Sequence, residues 1–167
     1  MPISIYQASV PVFVRGLGVL STLLRKGEEH AGNDAAALIE ARLAHDMLPL
    51  SGQVQRASDT SKLALERLTG VPSPKMEDDE KTFPELQARI EKTIRFIDGF
   101  TQAQLADSAA RKIELKFGDF KPSFSVDSFL LTFALPNFYF HVTTAYDILR
   151  HKGVAVGKRD FLGKYEG

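Results

Sequence analysis

Cysteine is absent from the 167 residues, which excludes disulfides, thiol nucleophiles and every zinc site built on thiolates. Neither sign of charge is in excess, because 21 Lys and Arg balance 21 Asp and Glu. A chain with no net charge has no global field to draw it onto nucleic acid or an anionic membrane, and neither is expected as a partner. Long hydrophobic runs are missing too. The longest apolar stretch, Phe129 to Tyr139, is broken by Thr132, Pro136 and Asn137 and is too short to span a bilayer. The opening Met-Pro-Ile-Ser lacks a charged segment followed by an apolar one, so no secretory signal is read there and the expected location is cytoplasmic. There is no glycine-rich phosphate cradle and no HExxH, and no Ser-His-Asp order stands out.

What remains is ordinary for a globular protein: 44% hydrophobic and 25% charged residues, in a length that suits one domain over 1–167 with 153–167 as a C-terminal tail. Helical periodicity dominates. Ile3, Tyr6, Val10, Phe13, Leu17, Leu20 and Leu24 step by threes and fours along one face. Ser4 with Gln7 forms a capping box ahead of them, Pro11 predicts a kink or a later start, and Gly27 the stop. A short run follows at Ala35 to Leu43. Met47, Leu50, Val54, Ala57, Ser61, Ala64 and Leu68 mark a second long helix ended by Gly70 and Pro72. The acidic, proline-containing stretch Val71 to Lys81 reads as a solvated loop. Thr82 and Glu85 then cap a third helix with Phe83, Leu86, Ile90, Ile94, Ile97 and Thr101 inside.

At Ile113, Leu115 and Phe117 the period falls to two, Gly118-Asp119 signals a turn, and Phe124 to Val126 can pair back. From Ser125 or Ser128 a last helix runs to Arg150. The expected fold is all-α: a four-helix bundle with a small β-hairpin before the last helix.

That last helix carries the residues of interest. Its stripe Leu130, Ala134, Asn137, His141, Thr144 and Ile148 reads as a core face with three polar members. Asn137 and His141, one turn apart, share that face. Buried without partners, such groups cost on the order of 1–3 kcal/mol each, so they must be hydrogen-bonded, hydrated or bound to a metal or ligand. Asp46, Gln53 and Thr60 recur every seven residues along the edge of the second helix and can lean towards them. Ordinary helix–helix hydrogen bonding explains the same pattern. His45 is expected to face solvent, and His30 and His151 sit near helix ends.

Three stretches together resemble a known group. They are Asp46-Met47-Leu48-Pro49-Leu50-Ser51-Gly52-Gln53-Val54, then Asn137-Phe138-Tyr139-Phe140-His141 followed by Thr144-Ala145-Tyr146 and Ile148-Leu149-Arg150, and finally Gly157 to Gly163. Across essentially the whole chain the sequence resembles an uncharacterised branch of the DinB/YfiT-like superfamily. The resemblance implies a four-helix bundle, often a homodimer, in which many relatives hold a divalent metal such as zinc or nickel through three histidines. His141 matches the last of these. Asn137 stands where the preceding histidine would be, and Gln53 or Asp46 stands nearest the one from the second helix.

Three functions therefore stay open. The first is a small-ligand pocket with an altered or lost metal site, lined by Asn137, His141, Gln53, Asp46 and Tyr139. The second is a divalent-metal-dependent hydrolase or transferase with His141 as a ligand. The third is a non-enzymatic dimeric structural or interaction module. Whether the chain is an enzyme stays undecided.

Overall fold

The computed structural model describes residues 3–108 and 110–164. Four long helices make the bundle: α1 (Ile5–Ala31), α3 (Leu50–Thr69), α4 (Phe83–Asp98) and α7 (Leu135–His151). Between them lie α2 (Ala35–Ile39), α5 (Gln102–Ala106) and the antiparallel strands β1 (Lys112–Glu114) and β2 (Ser123–Ser125). A short α6 (Val126–Phe129) leads into α7, and α8 (Lys158–Leu162) follows it. Ile113 pairs with Phe124 at the centre of the hairpin, which is shorter than the period-two pattern suggests: Leu115 and Phe117 lie beyond β1, and Val126 opens α6.

The apolar stripes land largely where the periodicity puts them, except that Ile3 is exposed ahead of α1 and Thr101 lies beyond α4 as the cap of α5. Val10, Phe13, Leu17, Leu20 and Leu24 of α1 are buried, as are Leu50, Val54, Ala57, Ala64 and Leu68 of α3 and Phe83, Leu86, Ile90 and Ile97 of α4. Both predicted capping boxes, at Ser4 and Thr82, are formed. Some boundaries move. Helix α1 starts at Ile5 and runs through Pro11, whose ring sits on the exposed side. It also passes Gly27, which is buried where three helices meet. A Cβ there would lie 2.9 Å from Leu149 and 3.3 Å from Phe83. Gly32, at φ 49°, ends the helix instead.

The span Ile5–Ile39 has the length and hydropathy (1.3 over its most apolar window) to cross a membrane, but half of that window is buried in the protein. Its apolar side is the core of the bundle.

Cross-helix contacts fix the directions. Phe13 and Gly16 meet Phe138, and Gly27 meets Leu149, so α1 and α7 are parallel. Ser21 bonds Gln87 while Gly27 approaches Phe83, so α4 runs against α1. Gln53 meets His141 and Thr60 meets Asn137, so α3 runs against α7. Helices α3 and α4 are therefore parallel, and residues 70–82 must return the full length of a helix. Twenty residues of α3 span about 30 Å, and thirteen extended residues reach about 43 Å, so the crossover has just enough chain.

That crossover is not the solvated loop its composition suggests. Asp78 and Glu80 pair with Arg89 of α4 at 3.1 and 2.9 Å. Glu66 accepts from both the amide and the hydroxyl of Ser73, and these bonds hold its carboxyl below the usual range. Arg89 is buried and also reaches Asp59 at 2.8 Å, and Asp59 takes Lys62 as a further partner at 3.1 Å. The crossover is pinned by charge rather than by apolar packing.

Between α6 and α7 the helix widens into a π-helical turn, Leu130–Ala134, in which the Leu135 amide donates to the Leu130 carbonyl. Pro136 follows at once. It has no N–H to give and crowds the preceding turn, and a widened turn absorbs both effects without a break.

Candidate functional site

Asn137 and His141 face α3, but at the edge of the core rather than in it. Leu130, Ala134, Thr144 and Ile148 of the stripe read in the sequence are buried, and a second row, Phe138, Val142, Ala145 and Leu149, is buried beside them. Both polar residues are half-buried in the seam between α3 and α7. Each has one partner across it. The Asn137 Nδ2 donates to Thr60 Oγ1 at 2.9 Å, and His141 Nδ1 lies 2.8 Å from Gln53 Oε1. Gln53 and Thr60, two helical turns apart on α3, thus meet the two residues one turn apart on α7.

Gln53 decides the state of the histidine. Only 1% exposed, it donates through Nε2 to the Leu48 carbonyl at 3.0 Å. That bond orients the amide so that its oxygen faces the imidazole. An amide oxygen only accepts, so His141 Nδ1 carries the proton and Nε2 keeps its lone pair. Burial, with a smaller contribution from the positive charge of Arg56, pushes the His141 pKa down to about 4. The ring is a neutral acceptor throughout the physiological range.

This has a consequence for stability. The unfolded histidine takes up a proton near pH 6.5, whereas the folded one resists until about pH 4. The contribution is fully present above pH 6.5 and is lost as the pH falls through that window. We expect wild type to lose on the order of 1 kcal/mol relative to His141→Gln between pH 6.5 and 4, allowing for solvent screening of a half-exposed ring. Paired urea melts at the two pH values measure it. An unchanged difference would contradict a neutral folded histidine.

The other expected site residues are elsewhere. Asp46 is exposed, on the chain before α3, which begins at Leu50 and not at Met47; it hydrogen-bonds neither polar residue. Tyr139 follows Asn137 by two residues, about 200° around the helix, and so turns towards α1. It stands against Phe138 and is influenced by Arg15 of α1, while its own burial raises its pKa. At 37% exposed, it belongs to a different face. Phe140, 55% exposed, stands 5.3 Å from the His141 ring and rims the seam.

A cleft that periodicity did not reveal adjoins the pair. It holds about 170 Å³ between α3 and the π-helical turn, with Asn137 and Thr60 on its wall together with Arg56, Arg67, Phe129 and Phe133. Arg67 lies over the Phe129 ring at 6.0 Å. The signal was available in Arg56, Thr60 and Arg67, which share one flank of α3 next to its apolar stripe.

The comparisons bear on this geometry. A family model described as a domain of unknown function, DUF1993, matches residues 5–162. The chain belongs to the DUF1993 family. A crystal structure of a DinB family member protein from Shewanella denitrificans is 38% identical, with a TM-score of 0.88 over 97% of this chain and 94% of that one. No curated protein matches. The DUF1993 chain thus has the DinB-like bundle that its sequence resembles.

The donor set of this DUF1993 protein does not fit the three-histidine metal site implied by that resemblance. His141 offers one nitrogen. Asn137 and Gln53 already engage their amide groups with Thr60, Leu48 and His141 itself. Asp59, the acidic side chain on the cleft wall, is held by Arg89 and Lys62. Among the described residues no three His, Cys, Asp or Glu side chains gather to hold an ion, whereas zinc takes three or four such ligands. No step through a metal is derived for this seam.

Proposed function

We propose that this protein binds a small organic molecule in the α3–α7 seam, where the superfamily's metal site has been altered into a hydrogen-bonding one. The observation that carries the reading is the Gln53–His141 bond. It fixes a neutral imidazole with a free Nε2 acceptor at the edge of the core. The bond satisfies Nδ1 and leaves Nε2 as the acceptor a ligand can use. The neighbouring cleft, walled by Thr60 and by Asn137 one turn from His141, supplies space, and Asn137 supplies a second oriented polar group. Few convergent polar groups beside an apolar wall are what a ligand site requires.

The test uses untagged protein at neutral pH. Elemental analysis is expected to find no stoichiometric zinc or nickel, and a thermal-shift screen of small metabolites is expected to find a stabilising compound. A ligand at about 100 times its Kd adds about 2.7 kcal/mol, a rise of about 5–10 °C in a domain of this size. Loss of that rise in His141→Ala would tie it to the seam. Stoichiometric metal that disappears in His141→Ala would overturn the proposal in favour of a metal-dependent hydrolase or transferase.

A further inference from the structure

Charge is unevenly compensated around the cleft. Arg56, Lys62 and Arg89 are matched by Asp59, Asp78 and Glu80 in one connected set of ion pairs. Three cations face three carboxylates, and that set is neutral. Arg67 stands outside it. Among the described residues it pairs with no carboxylate, and its sequence neighbour Glu66 is occupied by Ser73 of the crossover. Yet Arg67 is partly withdrawn from water against Phe129, and burial lowers its pKa. The charge of Glu66 acts on it only from beyond ion-pair distance, and a planar carboxylate would satisfy its fork directly.

The rest of the wall limits what carries that carboxylate. Phe133 of the π-helical turn gives an apolar side, with the fully buried Phe129 stacked behind it at 5.8 Å. Thr60 Oγ1 and the Asn137 amide lie on the same wall. The volume, about 170 Å³, is close to the roughly 150 Å³ that houses one benzene ring.

We infer that this cleft takes a small monocarboxylate with a ring-sized apolar body, its carboxylate on Arg67 and its ring against Phe133. The inference rests on the seam being a ligand site and names the class of ligand. Benzoate is the probe, and benzamide, of nearly the same shape without the charge, is the control.

Titration of the ¹⁵N-labelled full chain with benzoate is expected to shift the Asn137 side-chain amide and the Arg67 Nε–H. Benzamide is expected to bind at least about tenfold more weakly, as loss of a charge-assisted pair implies. Arg67→Gln should lose the benzoate response. Because that variant also removes the contact with Phe129, Asn137→Asp is the second. It sets a carboxylate on the wall and should weaken benzoate while sparing benzamide. Equal binding of the two probes at these residues would overturn the carboxylate assignment and leave a neutral ligand in the seam. Shifts confined to other residues, or none with either probe, would overturn it as well. Failure of the broader reading looks different: a bound metal lost with His141.

Discussion

Arg89→Leu is expected to destabilise the protein by about 3–5 kcal/mol at pH 7, the cost of stripping one partner from a buried ionic cluster. The Arg89 side chain is 1% exposed, donates to Asp59, Glu80 and the Glu77 carbonyl at 2.8, 2.9 and 3.0 Å, and forms an ion pair with Asp78 at 3.1 Å. Leucine would fill much of the volume but answer none of these acceptors. Asp59 keeps Lys62 and Arg56, and Glu80 keeps the Gln55 amide, so the loss is partial. The Arg89 Nε is itself a buried donor without a partner, and its removal returns a little. A decrease of about 10 °C in melting temperature follows for a chain of this length.

The same substitution should unfasten the crossover first, because residues 70–82 have no regular structure and hold to the bundle largely through this cluster. Limited proteolysis is expected to cut there before the helices open. Asp78→Asn is the control. Its carboxylate is 36% exposed, and its loss should cost below about 1 kcal/mol. A loss under 1 kcal/mol in Arg89→Leu itself would show that the crossover is held by something else.

Nothing in the periodicity announced that cluster. A stripe of apolar residues states which side of a helix is buried, and the bundle was legible on that ground from Val10 to Leu24, Leu50 to Leu68 and Phe83 to Ile97. Pairing across thirty residues, as between Asp59 and Arg89, leaves no periodic trace. The crossover was acidic and looked solvated for the same reason: composition records charge but not counter-charge. Helix α7 is a subtler case. Its rows Ala134-Asn137-His141-Thr144-Ile148 and Ala134-Phe138-Val142-Ala145-Leu149 both step by threes and fours, and both are buried except at Asn137 and His141. The packing partner decides which row goes deeper at that level. That partner is α1, where Gly16 leaves room for Phe138. The polar pair was legible because two amphipathic rows overlap, and its half-buried position became clear only when the second row went deeper there.

Gly16→Ala should therefore be harmful, although alanine is the better helix former by about 1 kcal/mol. A Cβ built on Gly16 would lie 2.7 Å from Phe138 Cζ and closer still to Cε1, distances that no relaxed side chain keeps. The ring has little freedom to retreat. Phe138 is fully buried, edge-on to Phe13 at 5.1 Å, with Tyr139 at 5.4 Å. Either the ring leaves its rotamer or α1 and α7 separate, and overpacking of this kind costs typically 1–3 kcal/mol. We expect a net loss of about 1 kcal/mol in chemical denaturation, the steric cost exceeding the gain in propensity. Phe138→Leu alone should also destabilise, by leaving part of the ring's space empty. Combined, the two should be less harmful than their sum by at least about 1 kcal/mol, because the methyl occupies what the ring vacates. Additive effects would mean that Gly16 and Phe138 do not share that space. The parallel contact of α1 with α7, which turns Asn137 and His141 towards α3, would then rest on other residues.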